Sequence, residues 1–160
     1  MNDLRKDCTL EEAKQWLRAR FEDGADCPCC GQMVKLYPRK LNSNMAVFLV
    51  SLVRLWKRER RPIKYKECRF HGRDYSYLHL WDLARTAKSD DPTKRMSGMW
   101  EPTQKGVDFV EQRISVPSHA FCYNGKLIKL SATTTTIIDS LGADFNYAEL
   151  MQAVPENRML

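Results

Sequence analysis

The chain has 160 residues, 43% of them hydrophobic, and a net charge of +6. This length fits one domain, or one domain with an appendage, and the apolar content is enough for a sizeable core. No apolar run approaches the about 18 residues of a membrane span and nothing resembles a secretory signal, so we expect a cytoplasmic protein with no membrane partner.

The first predicted element is a helix that begins after Thr9 and runs to about Phe21. Thr9 and Glu12 have the spacing of a capping box, in which each side chain accepts a hydrogen bond from the backbone N–H of the other residue. Apolar residues recur at helical spacing along the segment. Gly24 is expected to end this helix.

The sequence Cys-Pro-Cys-Cys-Gly follows at residues 27–31. Cys27 and Cys30 have the spacing of a knuckle that offers two thiolates to one zinc ion. A closed structural site needs two further ligands, and Cys68 with His71 repeats the spacing, again with a glycine directly after. We therefore predict one Zn²⁺ ion held by Cys27, Cys30, Cys68 and His71.

Other ligand sets remain open. Cys29 can replace a neighbour in the knuckle, and four further residues can complete the site: Cys8, Cys122, His79 and His119. Alternatively, the cysteines are reduced, partly buried thiols and the turn is an ordinary one. Disulfides are a weaker interpretation, because the cysteines of the knuckle are too crowded to pair easily with one another.

A second helix is predicted to begin after Asn42-Ser43-Asn44 and to run to about Lys57. Its apolar stripe is typical of a core helix, and Pro62 prevents its continuation. Residues 27–73, which contain this helix, carry twelve basic and two acidic residues, a surplus of +10. The excess positive charge of the chain is therefore concentrated in one segment.

This basic segment suits a polyanion, because each neutralised phosphate releases condensed counterions. The interleaved rings of Tyr65, Phe70 and Tyr75 can stack on bases, although such rings are more often core residues. The alternative is a solvated helix end whose charges only confer solubility. The candidate nucleic-acid-binding residues of this segment are Lys57, Arg58, Arg60, Arg61, Lys64, Lys66 and Arg73.

The rest of the chain alternates helical and extended patterns. A third helix is predicted over Tyr75–Thr86, with Asp74 as its N-cap, and a polar, charged loop follows. Asn124-Gly125 between two apolar runs predicts a β-hairpin. A short amphipathic helix is predicted near residues 107–110, a turn or strand after the threonine run, and a last helix near residues 147–151.

The order of these elements resembles winged-helix proteins. In those proteins the last strand of the wing often runs into a T-x-K-G-x-x-F-V helix, which here matches residues 103–110 after Gly98-Met99-Trp100. The resemblance implies a first core helix at residues 43–57, a recognition helix at 75–86 and a wing at 88–97. Lys94 and Arg95 would then lie at the wing, where cations contact phosphate or the minor groove.

The chain is also similar to small uncharacterised proteins of phages and mobile elements. The similarity covers about residues 20–151 and includes the C-P-x-C-G knuckle, a K-L-Y-x-R-K-L stretch at 35–41 and an F-x-Y-x-E-L-M stretch at 145–151. It implies a bacterial host cytoplasm and brings no established activity. The predicted recognition helix has few basic residues, so affinity for phosphate is better supported than sequence-specific readout.

We therefore expect an α+β protein: a winged-helix-like core with an N-terminal helix, a zinc knuckle and a C-terminal β-hairpin. The predicted division is residues 1–41 for the first helix and knuckle, 42–113 for the core, and 114–160 for the hairpin and C-terminal helix. No catalytic signature is complete. Cys27 and Cys30 have deaminase spacing, but Asp26 replaces the proline and no His-x-Glu precedes them, so we expect no enzyme and no catalytic residue.

The predicted function is a zinc-stabilised, winged-helix-like DNA-binding protein that acts as a phage or mobile-element regulator. The alternative is a small phage-type protein that binds and inhibits a host protein or nucleoprotein complex in anti-defence. The expected partner is DNA or a nucleic-acid-handling host complex. The oligomeric state stays open, with a homodimer as one option.

Overall fold

The computed structural model describes residues 4–93 and 97–152. It is a mixed α+β structure, as predicted, with several small antiparallel sheets. The helices are α1 (Leu10–Arg18), α2 (Ser43–Glu59), α3 (Gln104–Val110), α4 (Ile137–Leu141) and α5 (Tyr147–Gln152). The strands are β1 (Ala25–Asp26), β2 (Met33–Val34), β3 (Tyr37–Lys40), β4 (Ile63–Lys64), β5 (Ala84–Thr86), β6 (Met99–Pro102), β7 (Val116–Pro117), β8 (His119–Tyr123), β9 (Lys126–Leu130) and β10 (Thr134–Thr135).

Helix α1 begins at the predicted capping box. The Glu12 N–H donates to Thr9 Oγ1 over 3.1 Å, and the Thr9 N–H donates to Glu12 Oε2 over 2.9 Å. These bonds satisfy two donors that a helix start leaves without partners. The helix ends at Arg18, earlier than the predicted Phe21, and turns connect it to Gly24, whose φ is 91°.

Helix α2 is the central element of the core. Asn42 caps it by accepting the Met45 N–H over 3.0 Å, and the helix ends one residue before Arg60, which is left-handed. Ten of its seventeen residues are buried. A helix that is apolar on most sides is enclosed by other elements, and α2 packs against α3, α4, α5 and β6. The prediction of a core helix here is confirmed.

A three-stranded sheet lies beside α2. Strand β6 is its middle strand, with β4 on one side and β5 on the other, and Trp100 stands opposite both Ile63 and Thr86. Strand β6 runs directly into α3, which Thr103 caps by accepting the Gly106 N–H over 3.0 Å. This order is compatible with the expected winged-helix arrangement, whose further details stay a prediction.

The predicted third helix over Tyr75–Thr86 is wrong in type and extent. The structure has a 3₁₀ helix over Asp74–Trp81, then strand β5. Asp82 adopts a left-handed conformation, with φ of 56°, and ends the helix. Asp74 is the first helical residue and not the N-cap, and its carboxylate accepts the Asn42 Nδ2–H over 2.8 Å instead.

The second three-stranded sheet has β8 in its middle, flanked by β3 and β9. Strands β8 and β9 form the predicted hairpin, and its turn residues Asn124 and Gly125 have φ of 52° and 71°. Both turn positions therefore have the positive φ of a type I′ turn. The pairing of β3 with β8 and the packing of α4 and α5 on α2 connect the three predicted segments, whose division stays a prediction.

No helix in the described part of the chain is long and apolar enough to cross a membrane.

Candidate nucleic-acid interface and metal ligands

The predicted zinc knuckle is the turn of a short hairpin formed by β1 and β2. The Cys27 N–H donates to the Gln32 carbonyl and the Gly31 N–H donates to the Cys27 carbonyl, each over 2.8 Å. Gly31 has a φ of 76°, which an L side chain rarely adopts. The turn therefore holds Cys27 and Cys30 on one short, hydrogen-bonded loop.

The environment of Cys27 favours the thiolate. Backbone N–H groups of Cys30 and then Cys29 bond to its sulfur and lower the pKa of Cys27. The pKa of Cys29 is raised, first by desolvation and then by the neighbouring charge of Cys27. Because the thiolate is the form that binds metals, the turn suits Cys27 as a ligand.

Cys68 and His71 lie in a different environment. Cys68 is buried in the hydrophobic core at 1% exposure, and the next residue, Arg69, donates its N–H to Ser51 Oγ over 2.9 Å. His71 is exposed beside a cavity of about 240 Å³ that Phe145 also lines. Within the described ranges, no three His, Cys, Asp or Glu side chains are grouped to hold a metal. The zinc ion and its ligand set therefore stay a prediction.

The alternative ligands are scattered over the fold. Cys8 is close enough to Cys29 for its charge to contribute to the raised pKa of Cys29. Cys122 is buried on β8, the strand that also carries His119. The Nδ1 atom of His79 lies 2.7 Å from the Ser76 carbonyl oxygen and is engaged there. Cys8 is therefore the alternative ligand that the structure places near the knuckle.

Three of the predicted nucleic-acid-binding cations already have acidic partners. Lys57 pairs with Glu111, and Arg58 pairs with the adjacent Glu59 at 3.1 Å. Arg61 donates from Nη2 to a Glu67 oxygen over 2.8 Å. A cation that is held by a carboxylate must give up that ion pair when it binds phosphate. These three residues are therefore weaker candidates than the sequence indicated.

Four other predicted cations have no acidic partner among the described residues. Lys66 and Arg73 are exposed, and neither takes part in an ion pair within residues 4–93 and 97–152. Lys64 is likewise exposed on β4 and outside these ion pairs, and Arg60 lies over the Trp56 ring at 6.0 Å. Lys66 and Arg73 also border one cavity, so they are the clearest phosphate ligands among the described residues.

The cavity that Lys66 and Arg73 border is here called the aromatic cleft. It has a volume of about 680 Å³, and its aromatic residues are Tyr65, Phe70, Tyr75 and Trp100. Gly72 and Gly98 also line it. The space beside Gly72 is open, since a Cβ at this position would have no atom within 4 Å. The cleft brings together the end of the basic segment and the start of β6, which are distant in sequence.

The rings of the aromatic cleft support one another. Tyr65 and Tyr75 lie nearly parallel, with ring centroids 5.8 Å apart and an interplanar angle of 15°. Phe70 meets both of them edge-on, and Tyr75 also stacks on the buried Phe48. Burial is the main cause that raises the pKa of the Tyr75 phenol. The cleft thus combines three partly exposed rings, Tyr65, Phe70 and Tyr75, with the buried Trp100, and contacts with Phe48 anchor it to the core.

The predicted wing coincides with the connection between β5 and β6. Its described residues, 88–93 and 97, are exposed or half-buried and none is helical. Lys94 and Arg95 lie outside the described residues. The sequence identifies Tyr65, Phe70 and Tyr75 as stacking candidates, whereas nothing in it indicates that Trp100 and Gly98 join them.

No family model, no curated protein and no solved structure matches the chain. The resemblances to winged-helix proteins and to proteins of phages and mobile elements therefore stay predictions.

Proposed function

We propose that this protein binds nucleic acid, with DNA as the expected partner, through the surface that carries Lys66 and Arg73. The observation that carries the proposal is that both cations are exposed, lack ion pairs in the described part of the chain and border one cavity. Cations that are free of carboxylates can neutralise phosphates and release condensed counterions at little cost.

The strand order supports a winged-helix-like version of this function. Strands β5 and β6 pair in antiparallel fashion, and the connection between them contains Lys94 and Arg95 in sequence. Gly98, at the end of this connection, lines the cleft. Contacts from such a surface go to phosphates and position the duplex without reading its sequence. The proposal is a binding protein rather than an enzyme, stabilised by zinc at the knuckle.

The proposed location is the cytoplasm of a bacterial host, where DNA is accessible and thiols stay reduced. None of the six cysteines, all of which lie in the described part of the chain, forms a disulfide bond. The role as a phage or mobile-element regulator rests on the sequence resemblance alone.

Binding of a random DNA duplex at increasing salt tests the proposal. We expect measurable binding at low salt that weakens steeply between about 50 and 200 mM salt, because the affinity comes from counterion release. Absence of binding at low salt would overturn the proposal. The protein-binding, anti-defence alternative would then lead, and the exposed Leu127 and Ile128 of the edge strand β9 would be the first surface to test.

A further inference from the structure

The aromatic cleft combines two kinds of group that a nucleotide needs. Tyr65, Phe70 and Tyr75 are partly exposed rings, and Lys66 and Arg73 stand at the same cavity. Base–aromatic stacking is tolerant of sequence, because every base has a π-face. A cation close to a stacking ring can hold the phosphate of the same nucleotide.

The cleft is large enough for a small-molecule ligand. Its volume of about 680 Å³ falls within the range of about 300–1,000 Å³ that is usual for small-molecule sites. Tyr65 and Tyr75 already stack directly on each other at 5.8 Å, a normal distance for an aromatic pair. A base would therefore not enter between them, and because Tyr75 also stacks on Phe48, Tyr65 is the ring of this pair that would receive it.

The charges select the class of ligand. Aromatic clusters also bind quaternary ammonium groups, but Lys66 and Arg73 would repel such a cation. None of the described residues that line the cleft is acidic. An aromatic ligand that carries an anion fits both the rings and the charges.

We propose that the aromatic cleft binds a single unpaired nucleotide, with its base on the rings of Tyr65 and Phe70 and its phosphate at Lys66 and Arg73. This inference deepens the proposed function and rests on it. A duplex keeps its bases stacked, so the site takes a base from a single strand or one that has been turned out of a duplex. A free nucleotide offers the same chemistry.

Two single strands of equal charge test the inference. One is an octamer of thymidines, and the other is an octamer of abasic deoxyribose phosphates. We expect the thymidine octamer to bind about tenfold more tightly, because only it can stack. Equal affinity for the two strands would overturn the inference, while steep salt dependence of both would leave the proposed function intact. If the protein bound neither strand and no duplex, both the inference and the proposed function would be overturned.

Variants locate the stacking site. In Tyr65→Leu, the preference for thymidine over abasic strand should fall to about twofold or less. Tyr37→Leu is the matched control, since Tyr37 is an exposed tyrosine on β3, outside the cleft. Near-UV circular dichroism and the melting temperature establish that both variants are folded. A preference unchanged in folded Tyr65→Leu would overturn the inference.

Thymidine monophosphate distinguishes the two sources of the ligand. If it displaces the octamer at concentrations close to the octamer's own Kd, the cleft is a site for free nucleotides. If displacement needs at least about a hundredfold more, the strand is the ligand, because neighbouring phosphates contribute to binding. Either result supports the proposed site in the cleft. The site is contradicted if saturating monophosphate fails to displace the octamer and the two strands bind equally well.

Discussion

Gly106 packs directly against the backbone carbonyl oxygen of Leu83, so that a Cβ at position 106 would stand 2.0 Å from that oxygen. The same carbonyl accepts the Thr103 N–H over 3.1 Å. The start of α3 is therefore held against the residue that precedes β5, and this close approach requires glycine. The packing fixes how the β5–β6 pair sits on the core.

Replacing Gly106 tests this close approach. Gly106→Ala should lower the free energy of unfolding by about 2–3 kcal/mol, because the methyl group must displace backbone and not a flexible side chain. Urea unfolding measures the change. Gln104→Ala, an exposed position of the same helix, should change stability by less than about 0.5 kcal/mol. Equal stability of the two variants would contradict the close packing.

Local signals make part of the fold predictable. The Thr9–Glu12 capping box and the Asn124-Gly125 turn are short-range features, and the structure contains both. The segment after Asp74 has the pattern of one helix, because its apolar residues recur at helical spacing. Its last three residues, Ala84–Thr86, form β5 only by pairing with β6, a long-range contact that local periodicity does not encode.

The candidate site is harder to predict than the fold. The density of basic residues identifies the cations of the site. It does not distinguish Arg61, which forms an ion pair with Glu67, from Lys66 and Arg73, which form none among the described residues. Sequence cannot show which cation has a carboxylate nearby. Trp100 joins the cleft only because β6 lies between β4 and β5. The sequence thus reveals charge and ring content, whereas their arrangement depends on the fold.

The Arg61–Glu67 pair predicts a pH effect. The Arg61 guanidinium bonds to Glu67 and lowers the pKa of that carboxyl below the usual value of about 4.3. The stabilisation is fully present above the unfolded pKa and is lost as the pH falls through the lowered folded pKa. NMR titration of the Glu67 carboxyl should give the lowered value, and Arg61→Gln should raise it towards normal. A normal pKa for Glu67 in the wild type would show that Arg61 is not held by this carboxylate and is available to bind phosphate.

The knuckle predicts bound zinc. Metal analysis of the purified protein should give one equivalent per chain, and Cys27→Ser should lower stability by several kcal/mol, since structural zinc contributes folding free energy. Comparing Cys8→Ser with Cys68→Ala shows, by which variant loses metal, which of these two cysteines is a ligand. Well under one equivalent in fully folded protein would contradict the zinc prediction.

Lys94 and Arg95 give a prediction for the wing. Changing both to alanine should weaken DNA binding similarly for all sequences, because phosphate contacts carry no sequence information. The melting temperature should stay nearly unchanged, which circular dichroism would check. Full affinity in the double variant would remove these residues from the interface.

The most direct test compares two double variants that remove the same charge. Lys66→Gln with Arg73→Gln removes the cations of the cleft, and Arg58→Gln with Arg61→Gln removes cations that are already paired. The account predicts that the first variant reduces the salt slope of DNA binding by about 2, one for each phosphate that is no longer neutralised. The second variant should keep a slope close to that of the wild type. Equal reductions in the two variants would mean that only net charge matters and would contradict the assignment of binding to Lys66 and Arg73.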